Sequence, residues 1–250
     1  MTEEKATVEK ALITHWHHDH VKGIPDLLKI CPKAKVYKHQ PDEGQEDIKD
    51  GQVFQVEGAT LRAVHTPGHT ADHMVFIFEE ENAIFTGDSE FSLSSLTGFR
   101  RLHGSFLTFS DVLGHGTAVF EDLRAYLSSL HKMQGLVSGR GYPGHGAVIE
   151  NATARIAEYI RHRQQREDEV MRVLRSGKLD EEGSGDEPER GASWTPMELV
   201  KVIYRDVPES LHVPASHGVL QVLMKLEAEG KVQHDTGSGR WSVSTRGPVP

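Results

Sequence analysis

Between His15 and His20 the chain places four histidines and one aspartate, in the run His15-Trp16-His17-His18-Asp19-His20. Side chains on an extended backbone alternate sides, so His15 and His17 point the same way and can share one metal. Asp19 and His20 follow where the strand is expected to break into a loop, and there they can turn towards a second metal. Neutral imidazole and carboxylate suit zinc, and also iron or manganese. Three more side chains of ligand type each follow an apolar run and a glycine. They are His69 in His65-Thr66-Pro67-Gly68-His69-Thr70, Asp88 in Phe85-Thr86-Gly87-Asp88 and His145 in Tyr142-Pro143-Gly144-His145-Gly146. Loops that deliver ligands to one edge of a sheet are how an α/β scaffold builds a site. The chemistry expected of such a cluster is hydrolysis by a metal-activated water.

The remaining composition narrows the choices. A single cysteine, Cys31, excludes a disulfide framework and a thiolate zinc site. A net charge of −9 argues against a broad, sequence-independent nucleic-acid binder, although a local basic groove stays open. No apolar run approaches membrane-spanning length, and MTEEKATVEK is not a secretory signal, so the expectation is a cytoplasmic protein with no membrane partner. Of the sixteen histidines, His18 reads as an exposed neighbour of the ligands. His73, in Thr70-Ala71-Asp72-His73-Met74, is either a support or substrate contact at the site or a packed, hydrogen-bonded histidine. His39, His65 and His131 read as structural or surface residues, and Trp16 as a packing residue.

These motifs need a sheet to hold them. Ala11–Thr14 reads as a buried strand that runs into the histidine cluster. Gly23–Ile30 reads as a helix with Pro25 in its first turn. Further strands are expected at Lys35–Lys38, Gln52–Glu57, Thr60–Val64, Met74–Phe78 and Ala83–Phe85, with turns at Glu57-Gly58-Ala59 and Glu79–Asn82. Helical spacing recurs at Phe120–Met133 and from Ile149 to about Arg175. In the latter, Ile156, Tyr159, Ile160, Val170, Val173 and Leu174 form the apolar side and Arg161–Glu169 a solvated face. Mixed strands and helices in this order indicate an α/β layer structure. Ser176–Ser193 has the composition of an acidic linker. Beyond it, Thr195-Pro196-Met197-Glu198 starts a helix with a capping box, Val213–Glu229 is a second helix, and Lys231–His234 with Arg240–Ser244 is a hairpin. Helices followed by a hairpin read as a winged-helix-like module. The expected division is 1–175, 176–193 and 194–250.

Taken together, H-x-H-x-D-H, P-G-H-T, T-G-D and P-G-H-G in this order resemble the metallo-β-lactamase superfamily from about Lys10 to Met171. The resemblance implies an αββα sandwich holding two metals, most often zinc. By that resemblance His15, His17 and His69 hold the first metal, Asp19, His20 and His145 hold the second, and Asp88 bridges them. Asp19 also orients the attacking hydroxide, as a catalytic residue, and His73 and His115 are positions for supporting or substrate contacts. True lactamases of the commonest class carry cysteine where this chain has Asp88, so antibiotic hydrolysis is not expected.

The runs HTPGHTADHMVF, VLGHGTAVFEDL and YPGHGAVIENATARIAEYIRHRQQRE are similar to a subgroup with a small C-terminal helical module. It contains the fungal thioesterases that release a polyketide from the acyl carrier of its synthase in secondary metabolism. It also contains the mitochondrial β-lactamase-like endoribonuclease, which cuts single-stranded RNA; glyoxalase II is more distant. The acidic charge and the absence of a pronounced basic run favour the thioesterase, with a carrier domain or a small thioester as partner. Endoribonuclease activity is the alternative, and a degenerate, inactive family member is the third possibility.

Two departures from the family accompany the resemblance. Only ten residues precede ALITH, where family members have several strands, so a truncated reading of the gene is expected. In addition, Ser89–Asp111 separates Asp88 from Val112-Leu113-Gly114-His115-Gly116. This atypical insertion reads as a short intron translated in frame or as a lid over the site.

Overall fold

The structure, a computed structural model, describes residues 7–88, 120–176 and 192–244. Its contacts divide the chain into two compact units, the first ending at Ile160 and the second beginning at Arg161 in the described C-terminal half. The atypical insertion, His115 and most of the acidic linker lie outside the described residues.

The first unit is built on two sheets. In one, β1 (Lys10–Ile13) runs parallel to β2 (Lys35–Lys38), and β2 runs parallel to β3 (Glu46–Asp47), which leaves β1 at an edge. In the other, β4 (Val53–Val56), β5 (Ala59–His65), β6 (Met74–Phe78) and β7 (Ala83–Gly87) are antiparallel neighbours, and β8 (Gly141–Pro143) joins β7 in parallel. The β4–β5 hairpin turns at Gly58, whose φ of 78° is open to glycine at no steric cost. Tyr37 and Ile48 from the first sheet's segment pack with Phe54, Ala63, Met74 and Phe76 of the second, and Leu12 and Leu61 close over them. Met74, Val75, Phe76 and Ile77 are all buried, so β6 is covered on both faces, as an inner layer of a sandwich must be.

Helices α1 (His18–Val21) and α2 (Ile24–Ile30) lie between β1 and β2. Pro25 sits in the first turn of α2, where its missing N–H costs nothing. Helix α3 (Leu123–Gln134) starts three residues later than the apolar spacing predicts, because Asp122 caps it by accepting from the Ala125 amide at 2.9 Å. Helix α4 (Ala152–Ser176) buries Ile156 and Tyr159 in the first unit's stretch and Val170, Val173 and Leu174 in the second's, as the periodicity predicts, whereas Ile160, expected on the same side, is only half-buried.

The second unit continues with α5 (Pro196–Ile203), a short 3₁₀ turn (Glu209–Leu211), α6 (His212–Ala228) and the antiparallel hairpin of β9 (Val232–Asp235) and β10 (Arg240–Val243). The expected capping box is present: the Thr195 hydroxyl accepts from the Glu198 amide, and Glu198 accepts from the Thr195 amide. Leu199, Leu223 and Leu226 are fully buried. One expectation fails here. Glu167, placed by its charged neighbours on a solvated face, is only 5% exposed. Its carboxylate receives Lys225 Nζ at 2.5 Å and Lys231 Nζ at 2.9 Å, and that pairing makes its burial tolerable. Among the described residues no helix is long and apolar enough to cross a membrane.

Candidate metal centre

Strand β1 ends at Ile13, and Thr14 carries the chain out so that His15 is fully buried. The next residues do not form a loop, as the sequence suggests, but one turn of helix. The His17 carbonyl accepts from the His20 and Val21 amides at 2.9 and 3.2 Å, and this winds Asp19 and His20 back towards His15. His69 follows β5 across a turn that requires glycine. Gly68 has φ 135°, and a Cβ there would lie 2.3 Å from the Tyr126 backbone. Asp88 follows β7 through Gly87, at φ 51°, and His145 follows β8 through Gly144.

These turns bring all seven motif residues together. Ligand atoms of His15, His17, His69 and Asp88 all lie within 4.8 Å of one another, as do those of Asp19, His20, Asp88 and His145. Asp88 belongs to both groups and divides its oxygens between them. Its Oδ2 lies 3.8 Å from both His15 Nε2 and His69 Nε2. Its Oδ1 lies 3.2 Å from His20 Nε2 and 3.6 Å from His145 Nε2. His69 Nε2 is 3.0 Å from His17 Nδ1, and His145 Nε2 is 2.8 Å from Asp19 Oδ2.

The cluster has a dry side and a wet side. His15 and His69 are buried, whereas the side chains of Asp19 and His145 are 54% and 46% exposed. Burial disfavours protonation of His15, and the neighbouring imidazoles of His73, His20 and His69 add to this, so it is held neutral. Burial opposes ionisation of Asp88, but His20 and the other imidazoles outweigh it and hold the carboxyl below its usual range. The same carboxylate raises the pKa of His20. Asp19 is also lowered: desolvation, the largest single influence, is outweighed by its own backbone amide, His20 and His145 together.

The donor set fits divalent cations. His15 Nε2 is buried with no hydrogen-bond partner, and His20 Nε2 and Asp88 Oδ1, 3.2 Å apart, make no well-aligned hydrogen bond, a costly state for groups aimed into one cluster. Five imidazoles and two carboxylates are ligands that zinc, manganese and iron accept.

The neighbouring residues sort clearly. His18 is exposed, as expected. His73 is fully buried and stands behind the ligands, its ring 5.2 Å from that of His15 and 5.8 Å from that of His69. Its Nδ1 is 3.0 Å from Thr66 Oγ1, and its pKa is pushed down to about 3, chiefly by burial. His73 is thus packed, with Nδ1 hydrogen-bonded and Nε2 without a partner, and it stands against the site. His39 and His65 contact the Ile48 and Ala71 carbonyls, and His131 is exposed, in keeping with structural and surface roles. Trp16 is not the packing residue expected: it is 45% exposed and stands edge-on to the His17 ring at 4.6 Å. The motifs also miss Lys38 and Asp72, an ion pair at 2.9 Å with both side chains almost wholly buried.

The metallo-β-lactamase superfamily profile matches residues 3–145, and the profile of the β-lactamase-associated winged helix domain matches residues 195–241. The chain belongs to the metallo-β-lactamase superfamily. It is 42% identical to the lactamase-like protein aptB of Emericella nidulans, over 99% of this chain and 73% of that one. It is 44% identical to the atrochrysone carboxyl ACP thioesterase of Aspergillus chevalieri, over 97% of this chain and 71% of that one. A metallo-β-lactamase family protein of Thermus thermophilus, TTHA1429, shares the fold with a TM-score of 0.64 at 21% identity, covering 94% of this chain and 80% of its own. A β-lactamase domain protein of Burkholderia ambifaria does so at 0.67 and 16%, covering 96% and 75%. The fold expected from the motifs, a metallo-β-lactamase domain followed by a winged helix, is the fold found. The family and its relatives support a hydrolase.

Proposed function

We propose that this superfamily member is a two-metal thioesterase that releases a polyketide acyl group from the carrier domain of its synthase. The observation that carries the metal chemistry is Asp88, one carboxylate turned by its two oxygens towards two separate histidine groups. In this reading His15, His17 and His69 hold one cation and Asp19, His20 and His145 the other, with Asp88 shared. Bound divalent cations, zinc foremost, would supply Lewis-acid polarisation of the acyl carbonyl and a water acidified towards neutrality.

The chain's own residues do the rest. Asp19, ionised and on the open side, holds the attacking water and takes up its proton. Buried His15, His69 and His73 close the far side, so substrate approaches past Asp19 and His145. Trp16, exposed beside His17, offers an apolar face to the acyl chain.

The choice of a carrier thioester rests on the thioesterase relative and on the second unit. In α6, the helix before the wing hairpin, the single lysine is Lys225, which is engaged by Glu167 and Glu229 at 2.5 and 2.6 Å. A helix with no free lysine or arginine is poorly equipped to hold phosphates. The test offers the zinc-loaded full chain an aromatic polyketide acyl-carrier thioester and a single-stranded RNA in parallel. Free acid and carrier thiol should appear, and Asp88→Asn should abolish their release. Cleavage of RNA with no hydrolysis of the thioester would overturn the proposal.

A further inference from the structure

Behind the candidate metal centre lies a buried charge network that the hydrolytic chemistry does not use. Lys38 is the last residue of β2, and its side chain is 4% exposed. Its Nζ lies 2.9 Å from Asp72 Oδ2, and the Asp72 side chain is 3% exposed. The same ammonium donates to the Gln40 carbonyl at 2.7 Å and reaches the His39 carbonyl at 3.3 Å. The ammonium thus donates to two backbone carbonyls and stands in ion-pair range of Asp72 Oδ2, which accepts no hydrogen bond. Gln40 is one of two described non-glycine residues with positive φ, at 54°, so the ammonium fastens a backbone that L side chains rarely adopt.

The other end of the network enters the turn that carries His69. Asp72 Oδ1 accepts from the fully buried Thr70 hydroxyl at 2.7 Å. The Thr70 carbonyl accepts from the Gly68 amide at 3.1 Å, which closes the chain around His69. Asp72 is also followed by His73, whose ring stands against His15 and His69. A buried ion pair is a poor device for stability, because desolvation of both charges consumes most of their attraction and an apolar pair often serves as well. What it supplies is a fixed geometry.

The geometry points to Lys38 and Asp72 as a positioning pair, which locks the Gly68–His73 turn and so sets the direction of the His69 ring as a metal ligand. This inference rests on the metal reading of the cluster. Residues that orient ligands from behind typically alter metal affinity or activity by about 10–100-fold when replaced.

The test replaces both charges together. Lys38→Met with Asp72→Asn removes the ion pair yet keeps side-chain volume and leaves Thr70 its acceptor. The readout is the rate at which the zinc-loaded full chain surrenders zinc to a chelator, followed beside its melting temperature. Zinc loss should quicken about 10-fold or more at a melting temperature near that of the parent, and kcat on the acyl-carrier thioester should fall with KM unchanged. Parental zinc retention in the folded double variant would overturn the inference. Should the double variant not fold, Asp72→Asn alone, in which Lys38 keeps its two carbonyl acceptors, is read in the same way. The two readings fail separately. A parent chain that takes up no zinc defeats the metal reading, whereas a parent that holds zinc no better than the variant defeats only the positioning pair.

Discussion

Gly144→Ala is the smallest change that should damage the centre. A Cβ at this position would lie 2.7 Å from Asp88 Oδ1, 2.8 Å from His20 Cε1 and 3.2 Å from the Gly87 carbonyl oxygen. Ordinary contact needs about 3.4 Å or more, so Asp88 and His20 must each retreat by roughly 0.6 Å. Neither can do so freely, since both belong to the same ligand group and are bounded by its other members. Overpacking of this kind costs about 1–3 kcal/mol of stability. A functional geometry tolerates about 0.5 Å of displacement, and a 1 Å error in positioning can cost about 100-fold in rate. The expected outcome is a folded protein with kcat lower by about 10–100-fold and weakened zinc retention. Gly135→Ala is the matched control, because Gly135 has a right-handed helical backbone and a Cβ there meets nothing within 4 Å. It should be neutral or stabilising by up to about 1 kcal/mol. Thioester turnover and zinc content of the two variants, measured side by side, check the argument. Equal activity in both would refute it, since a Cβ against Asp88 and His20 would then have proved harmless.

Other expectations concern the second unit and the open side of the centre. Glu167→Ala leaves Lys225 buried with only Glu229 as counter-ion and should cost about 2–3 kcal/mol, below the range for wholly uncompensated charges, as read by denaturant unfolding. The pKa of Glu229 is lowered in the folded chain because Lys225 and Lys231 outweigh its partial burial. Its contribution is therefore complete above the unfolded carboxyl value of 4.5 and is lost as pH falls through the folded value. Glu229→Gln should accordingly flatten the acid limb of the unfolding curve without changing its neutral plateau by more than the lost pairing. Trp16→Ala should raise KM for an aromatic acyl thioester several-fold while sparing a short aliphatic one, and equal effects on both would remove Trp16 from the acyl site.

The site was more legible than the scaffold around it, for a physical reason. Its candidate ligands sit in short runs, one packed into six residues and three at turns where a glycine precedes the functional side chain, so position in the chain and position in space coincide. His69, Asp88 and His145 each follow such a glycine. The winding at His18–Val21 was not legible, because a loop and a single helical turn differ only in local backbone bonds, which the residue types there do not specify. Strand β3 is two residues long and carries no periodicity to detect. Glu167 was misplaced because its partners, Lys225 and Lys231, come from distant segments, and a charge among charges looks solvated until they arrive. Lys38 did leave a trace: in Lys35-Val36-Tyr37-Lys38 it shares a strand face with buried Val36, where an ammonium must find acceptors.

The central claim is that one shared aspartate joins two cation sites. Zinc stoichiometry of the stripped and reloaded full chain tests it most directly. The parent should bind about two equivalents, and His145→Ala, which removes a ligand from one group only, should keep about one. A parent chain that binds only one equivalent or less, or a His145→Ala variant that still binds two, would contradict the account.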